Sequence, residues 1–167
     1  MTAAQPVIVI RPAVAADVGR ILAFIRELAE YEKLSHEAVA DEAGLAAQLF
    51  GDHPRAEVLI ADVDGTAAGF ALFFHNFSTF VGKPGLYLED LFVSPAFRGH
   101  GLGKRLMLRL AQIAVERDCG RFEWSVLDWN QPAIDFYRSL GAVGMDEWTI
   151  QRVSGDALRE LAERASD

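Results

Sequence analysis

A mixed α/β architecture, one central sheet flanked by helices, is what this sequence predicts, and three observations carry the prediction. The apolar residues change period along the chain, from alternation to helical spacing and back, in the order β α α β β β α β α β. Asp64-Gly65 separates two apolar runs, the strongest short-range hairpin signal. The length of 167 residues, with 51% hydrophobic and 24% charged side chains, suits one folded domain with a buried core rather than a disordered chain.

The elements follow in order. "VIVIRP" (7–12) reads as a short strand stopped by Pro12. Asp17 is placed to cap a helix in which Ile21, Leu22, Ile25 and Leu28 keep one stripe to about Leu34, and 38–50 forms a weaker helix. Residues 57–74 read as a hairpin around Asp64-Gly65, and "HNFSTFVGKPG" (75–85) as a loop. "LYLEDLFV" (86–93) is a strand ended by Ser94-Pro95. A helix follows with Leu102, Leu106, Leu110 and Ile113 on one stripe and Gly120 as its stop. "RFEWSVL" (121–127) alternates as a strand, and "AIDFYRSL" is a helix with Pro132 in its first turn and Gly141 behind it. "WTIQRV" (148–153) reads as a last strand and 156–165 as a polar helical tail. With no linker or internal repeat, 1–167 is expected to be a single domain, with a core over about 8–153 and a tail over 154–167.

Composition narrows the functional classes. A net charge of -8 suits cations and opposes the grip on a nucleic-acid backbone. No apolar run approaches the ~18 residues of a membrane helix, and 1–11 has no basic segment ahead of its apolar run, so neither a membrane span nor a signal peptide is expected. Cys119 is the only cysteine, which fits a reducing cytoplasm. His36, His53, His75 and His100 lack metal-ligand spacing, so no metal is expected. No G-x-S-x-G is present, and attack without a covalent enzyme intermediate is the simpler chemistry.

One stretch departs from this background. From Ser94 to Val115 there is no acidic residue, while Arg98, Lys104, Arg105 and Arg109 all fall there, around "FRGHGLGKRL" (97–106). The first amides of a helix lack intrahelical partners and carry the positive end of its dipole, and glycines let backbone approach a ligand closely. A strand, a glycine turn and a helix start in succession make an anion site, most naturally for phosphate. The spacing is not that of a P-loop, because Arg105 follows Gly103-Lys104, nor of a dinucleotide fingerprint, which fails from Gly99 and from Gly101.

What remains, R-x-x-G-x-G from Arg98 to Gly103, resembles the pyrophosphate motif of the GNAT acetyltransferase superfamily. "IRPAVAADVGRIL", "YLEDLFVSPAFRGHGLG" and "LDWNQPAIDFYRSLGA" resemble its opening segment, central strand and second cofactor segment. "ELAEYEKLS" (27–35), "YLED" and "WNQPAIDFY" are similar to its diamine (spermidine/spermine) and thialysine branch. The resemblance implies a GNAT fold whose mixed sheet splays at an acetyl-CoA site. It also implies acetyl transfer from acetyl-CoA to a primary amine of a small cation, and a homodimer.

By the same resemblance, backbone groups of Leu91, Phe92 and Val93 would pair with the pantetheine arm. Arg98, Gly99, His100, Gly101, Leu102, Gly103 and Lys104 would take the pyrophosphate, and Asn130, Pro132 and Ala133 would line the coenzyme with Tyr137. Tyr137 would be the general acid facing the leaving sulfur. Glu89 and Asp90 adjoin in a strand and so should face opposite ways, leaving one in the acceptor site; the resemblance implies Glu89, as base through water and as ammonium anchor. Tyr31, Glu32, Glu123, Trp124 and Ser125 would complete the acceptor site. Polyamine acetylators of this branch carry an aspartate and a tryptophan where this chain has Ser78 and Phe80, so a thialysine-like amine or short diamine is expected to outrank spermidine, unless Asp146 or Glu147 supplies the missing charge. A polyamine acetyltransferase, a protein N-terminal acetyltransferase and a non-catalytic acyl-CoA sensor are the alternatives.

Overall fold

The computed structural model describes residues 5–166. The chain divides into two compact units, the first running through Ser125 and the second beginning at Val126.

The first unit holds one five-stranded sheet. Its strands are β1 (Ile8–Pro12), β2 (Glu57–Val63), β3 (Thr66–Ser78), β4 (Lys83–Val93) and β5 (Arg121–Trp124), adjacent in that order. All neighbours are antiparallel except β4 and β5, which are parallel, so the sheet is mixed as expected. The helices are α1 (Val18–Tyr31), α2 (Glu42–Phe50) and α3 (Leu102–Glu116). Asp64 and Gly65 both take left-handed angles, φ 50° and 79°, as the two-residue turn between β2 and β3 requires.

The apolar stripe of α1 lies on the sheet. Ile21 and Phe24 are fully buried against Ile60, Phe70 and Phe92, and the Phe24 and Phe70 rings stack with centroids 5.3 Å apart. Burying such a side chain contributes roughly 1.5–3 kcal/mol. Leu102, Leu106 and Leu110 of α3 are buried as well. The segment between β4 and α3 is therefore anchored at both ends by core packing.

Several elements depart from the sequence reading. The segment 75–85 is not a loop: β3 extends to Ser78 and β4 begins at Lys83, with Pro84 opposite Phe77. Its polar and breaker residues hide a strand pairing that the partner strand enforces. Asp17 stands at the N-cap of α1 as expected, but its side chain does not bond the helix amides; its carboxylate accepts from the Val14 amide at 2.8 Å and pairs with Arg11 at 2.8 Å. At the end of α3 the left-handed residue is Asp118 (φ 54°), and the Cys119 amide closes onto the Ala114 carbonyl at 2.8 Å, so the helix stops before Gly120. The strand expected over 121–127 ends at Trp124.

The second unit holds α4 (Gln131–Ser139) and α5 (Gly155–Glu163). No strand forms over 148–153. Trp148 and Ile150 are exposed there, at 75% and 71%. Alternation indicates which face of a strand could be buried, but a strand also needs a neighbour to complete its ladder. Among the described residues no strand pairs with this segment.

Candidate active site

The chain leaves β4 at Val93, makes a short 3-10 turn over Pro95–Phe97, and enters α3 at Leu102. Gly99 and Gly101 take φ of 85° and 72°, a region other residues enter only with strain, and a Cβ at either would meet nothing within 4 Å. These glycines therefore serve the backbone path and leave its outer side clear. Gly101 occupies the N-cap of α3 and offers no side chain to the first amides of the helix. His100 and Lys104 are exposed beside them, while Leu102 is buried in the core, so only its backbone can face a ligand. Open amides, dipole and basic side chains together fit a pyrophosphate.

Arg98, the first residue of the motif, is also engaged within the protein. Its Nε donates to the Val93 carbonyl at 3.1 Å, and its guanidinium lies over the rings of Tyr31 and Phe92, 5.6 and 5.7 Å from their centroids. Arg98 thus joins the loop to the end of α1.

β5 pairs with β4 only from Gly85 to Leu88, ending with Leu88 opposite Trp124. β4 continues to Val93 while β3 still covers its other edge, to Gly69 opposite Val93. Among the described residues, no strand covers the β5-side edge of β4 over 89–93. This is the splay, and it leaves the backbone of Leu91 to Val93 placed to pair with an extended ligand. The Phe92 side chain is buried beside Phe24 and offers only its backbone.

At the start of the splay the β3–β4 ladder slips by one residue: Leu72 pairs with Asp90 and Phe73 with Leu88, so Glu89 has no partner across the ladder. A bulge of this kind breaks the alternation of side chains and re-aims them. At the bulge Glu89 is exposed while Asp90 is half-buried. The Asp90 carboxyl is pushed up to about 6 by burial first, and then by the negative charges of Glu89 and Glu32. Burial also raises Glu32 above the usual carboxylate range. Three carboxyls, one from the end of α1 and two from the bulge, therefore share one field at the open end of β4. Asp90 is the member that sequence reasoning set aside; a bulge arises from pairing between strands and leaves no mark in the local pattern.

The remaining residues expected in the acceptor site lie on β5 and just after it. Glu123 and Trp124 stand opposite Tyr87 and Leu88, immediately before the bulge. Glu123 is engaged by Arg121 at 2.6 Å, and the Ser125 hydroxyl is 2.9 Å from that of Tyr87. The Trp124 ring packs on Phe122 at 4.8 Å. Asn130, Pro132, Ala133 and Tyr137 belong to the second unit. Asn130 is buried and its Oδ1 accepts from the Ala133 amide at 3.4 Å, capping α4, with Pro132 in the first turn. Tyr137 is half-buried, its ring 5.3 Å from that of Phe136. Among the described residues no group of three or more His, Cys, Asp or Glu is arranged to hold a metal ion.

Residues 20–142 match the acetyltransferase (GNAT) family. The chain belongs to the GNAT family. It is 39% identical over 166 residues to thialysine N-epsilon-acetyltransferase of Sus scrofa, with 93% of this chain and 97% of that protein covered. It is 34% identical over 197 residues to an L-ornithine N5-acetyltransferase of Arabidopsis thaliana, covering 91% of this chain and 86% of that one. Among solved structures, an integron cassette protein from the mobile metagenome of V. cholerae aligns with a TM-score of 0.79 and 31% identity, over 93% of this chain and 98% of that one.

This GNAT protein is an acyltransferase acting on amines. Acetyl-CoA is the acyl donor of GNAT acetyltransferases, and the open glycine backbone and the uncovered edge of β4 fit its pyrophosphate and pantetheine. Among the described residues, no helix is long and apolar enough to cross a membrane.

Proposed function

We propose that this enzyme transfers an acetyl group from acetyl-CoA to the side-chain amine of a lysine-like cation such as thialysine, or to a short diamine. The observation that carries the reading is the meeting of Glu32, Glu89 and Asp90 beside the uncovered edge of β4. A small cation would bind there, at the end of the slot that takes the pantetheine.

An alkylammonium titrates near 10.4 and must lose a proton before it attacks. A base is most effective when its own pKa lies near the working pH. Asp90, raised by burial and its two acidic neighbours, is better matched to that task than an ordinary surface carboxylate. We assign Asp90 and Glu89 together as the proton-accepting pair, Glu89 acting through water, with Glu32 and Tyr31 anchoring the cation. The freed amine attacks the thioester carbonyl directly, coenzyme A leaves as thiolate, and Tyr137 supplies its proton. Leu91 to Val93 and the Gly99 to Lys104 amides hold the coenzyme, with Asn130, Pro132 and Ala133 along its arm.

The names of the relatives support a side-chain amine as acceptor: thialysine in one, ornithine in another. Ser78 is buried and its Oγ accepts from the Val81 amide at 3.3 Å, so the position where polyamine acetylators carry an acid is spent on a turn. The second reading, a polyamine acetyltransferase, is favoured by 34% identity to a human spermidine/spermine N(1)-acetyltransferase-like protein, over 92% of this chain but only 23% of that protein. Comparing kcat/KM for thialysine, a short diamine and spermidine decides between them. Thialysine or the diamine is expected to lead, and spermidine ahead by tenfold would overturn the assignment.

The family match runs through both units, from 20 to 142, which supports a single catalytic domain. The lone Cys119 supports a reducing cytoplasmic setting. A homodimer is supported by Val143, Met145, Trp148 and Ile150, all exposed in the second unit. Light scattering at micromolar concentration is expected to give twice the chain mass, and a monomer would contradict it.

A further inference from the structure

The junction between β4 and the glycine loop is held by a closed ring of three side chains. Arg20 and Glu27 lie two turns apart on α1 and pair at 3.0 Å. Arg20 Nη2 donates to the Ser94 hydroxyl at 3.0 Å, and that hydroxyl donates to Glu27 Oε2 at 3.1 Å. Arg20 is itself steered: its Nε reaches the Ala67 carbonyl at 3.4 Å, and its guanidinium lies 3.9 Å from the Phe24 ring centroid.

Ser94 is the first residue after β4, and every polar group it has is committed. Its amide donates to the Ala68 carbonyl at 2.9 Å, its carbonyl accepts from the Phe97 amide at 2.9 Å, and its hydroxyl closes the ring with α1. The residue is 6% exposed. α1 does not need the ring to stay on the sheet, because Ile21 and Phe24 already bury it there. The ring joins α1 to the first residue after β4.

We propose that Arg20 and Glu27 are positioning residues for the acyl donor, acting through Ser94. They fix the departure angle of the loop, and so the spacing between the Leu91–Val93 edge, which takes the pantetheine, and the Gly99–Lys104 amides, which take the pyrophosphate. The inference rests on the acetyl-CoA reading of that loop. Because the ring touches the donor side of the site, its loss acts on donor affinity and not on the amine or the chemical step.

The test uses Ser94→Ala, Glu27→Gln and the double variant, with coenzyme A affinity by calorimetry, initial rates varying both substrates, and melting curves. Glu27 is half-exposed, so its variant carries the test if Ser94→Ala folds poorly. Each single change is expected to weaken coenzyme A binding about tenfold, the scale of a lost charge-assisted hydrogen bond. The kcat at saturating donor and the KM for the amine are expected to stay within threefold. The double variant is expected to bind no worse than the weaker single one, since both act through one ring. Wild type failing to bind coenzyme A overturns the functional reading and this inference with it. Wild type binding while the folded variants bind equally well, show additive losses, or lose kcat instead, overturns this inference alone.

Discussion

The guanidinium of Arg98 lies over the ring of Tyr31, 5.6 Å from its centroid, and so links the loop after β4 to the C-terminal end of α1, where we place the acceptor. A cation held over an aromatic face contributes ~0.5–1 kcal/mol at an exposed site. Removing it should therefore disturb both substrates. Arg98→Ala is expected to raise KM for acetyl-CoA and for the amine together, each several-fold. Arg98→Lys is expected to restore little, because an ammonium lacks both the planar stack and the Nε–H that reaches Val93. Two-substrate initial rates check this; an effect confined to acetyl-CoA would show that the Tyr31 contact carries no coupling.

Asp90 has a direction of pH dependence that can be worked out. Its carboxyl titrates near 6 in the fold against an ordinary 3.8, so the folded state binds more protons between those values. Stability contributed by the protonated form is present below about 4 and is lost as pH rises through 6. At pH 7 the charged group costs up to about 3 kcal/mol before any cation binds. Asp90→Asn is expected to raise the melting temperature at pH 7.5 and to leave it nearly unchanged at pH 4, while activity falls at least tenfold. An equal rise at both pH values would remove the charge argument.

Amine binding should reverse that shift. A cation among Glu32, Glu89 and Asp90 favours their charged forms, so binding near pH 6 is expected to release a proton. Calorimetry in buffers of different ionisation enthalpy measures it, and Asp90→Asn is expected to abolish most of the release.

The glycine loop separates strain from access. Gly101→Val places a β-branched residue at φ 72° and is expected to cost roughly 1–2 kcal/mol of stability along with coenzyme binding. Gly103 lies inside the first turn of α3, where alanine should stabilise by roughly 0.5–1 kcal/mol. Gly103→Ala is therefore the cleaner probe: a higher melting temperature combined with coenzyme A affinity reduced several-fold is expected. Unchanged affinity would move the pyrophosphate elsewhere.

Tyr137→Phe keeps the ring and removes the hydroxyl. Coenzyme A affinity is expected to hold while kcat falls ~10²- to 10⁴-fold, the usual contribution of a general acid. A fall of less than threefold in single-turnover measurements would take the acid role away from Tyr137.

Much of the fold was legible because its signals are local. The leucine stripe of α3, the Asp64-Gly65 turn and the glycine run before α3 each announce themselves within a few residues. What stayed hidden depends on partners. Pro84 and Gly85 read as loop residues yet pair with Phe77 and Asn76, and Trp148 to Val153 read as a strand yet have no ladder to join. The candidate site divides the same way. Its phosphate loop could be read from spacing, whereas the convergence of Asp90 with Glu32 depends on a slip in the pairing of β3 with β4 and on a residue at the end of α1.

That slip gives Glu89 the standing of an inserted letter. The ladder runs to Leu88, skips one position and resumes at Asp90, so both flanks are already paired as if Glu89 were not there. Deleting its single codon would shorten β4 by one residue without asking any other pair to move. A lineage could therefore lose this carboxylate by deletion as readily as by substitution, and the two routes differ: substitution changes the charge and keeps the bulge, whereas deletion removes both and restores strict alternation from Leu88 to Asp90.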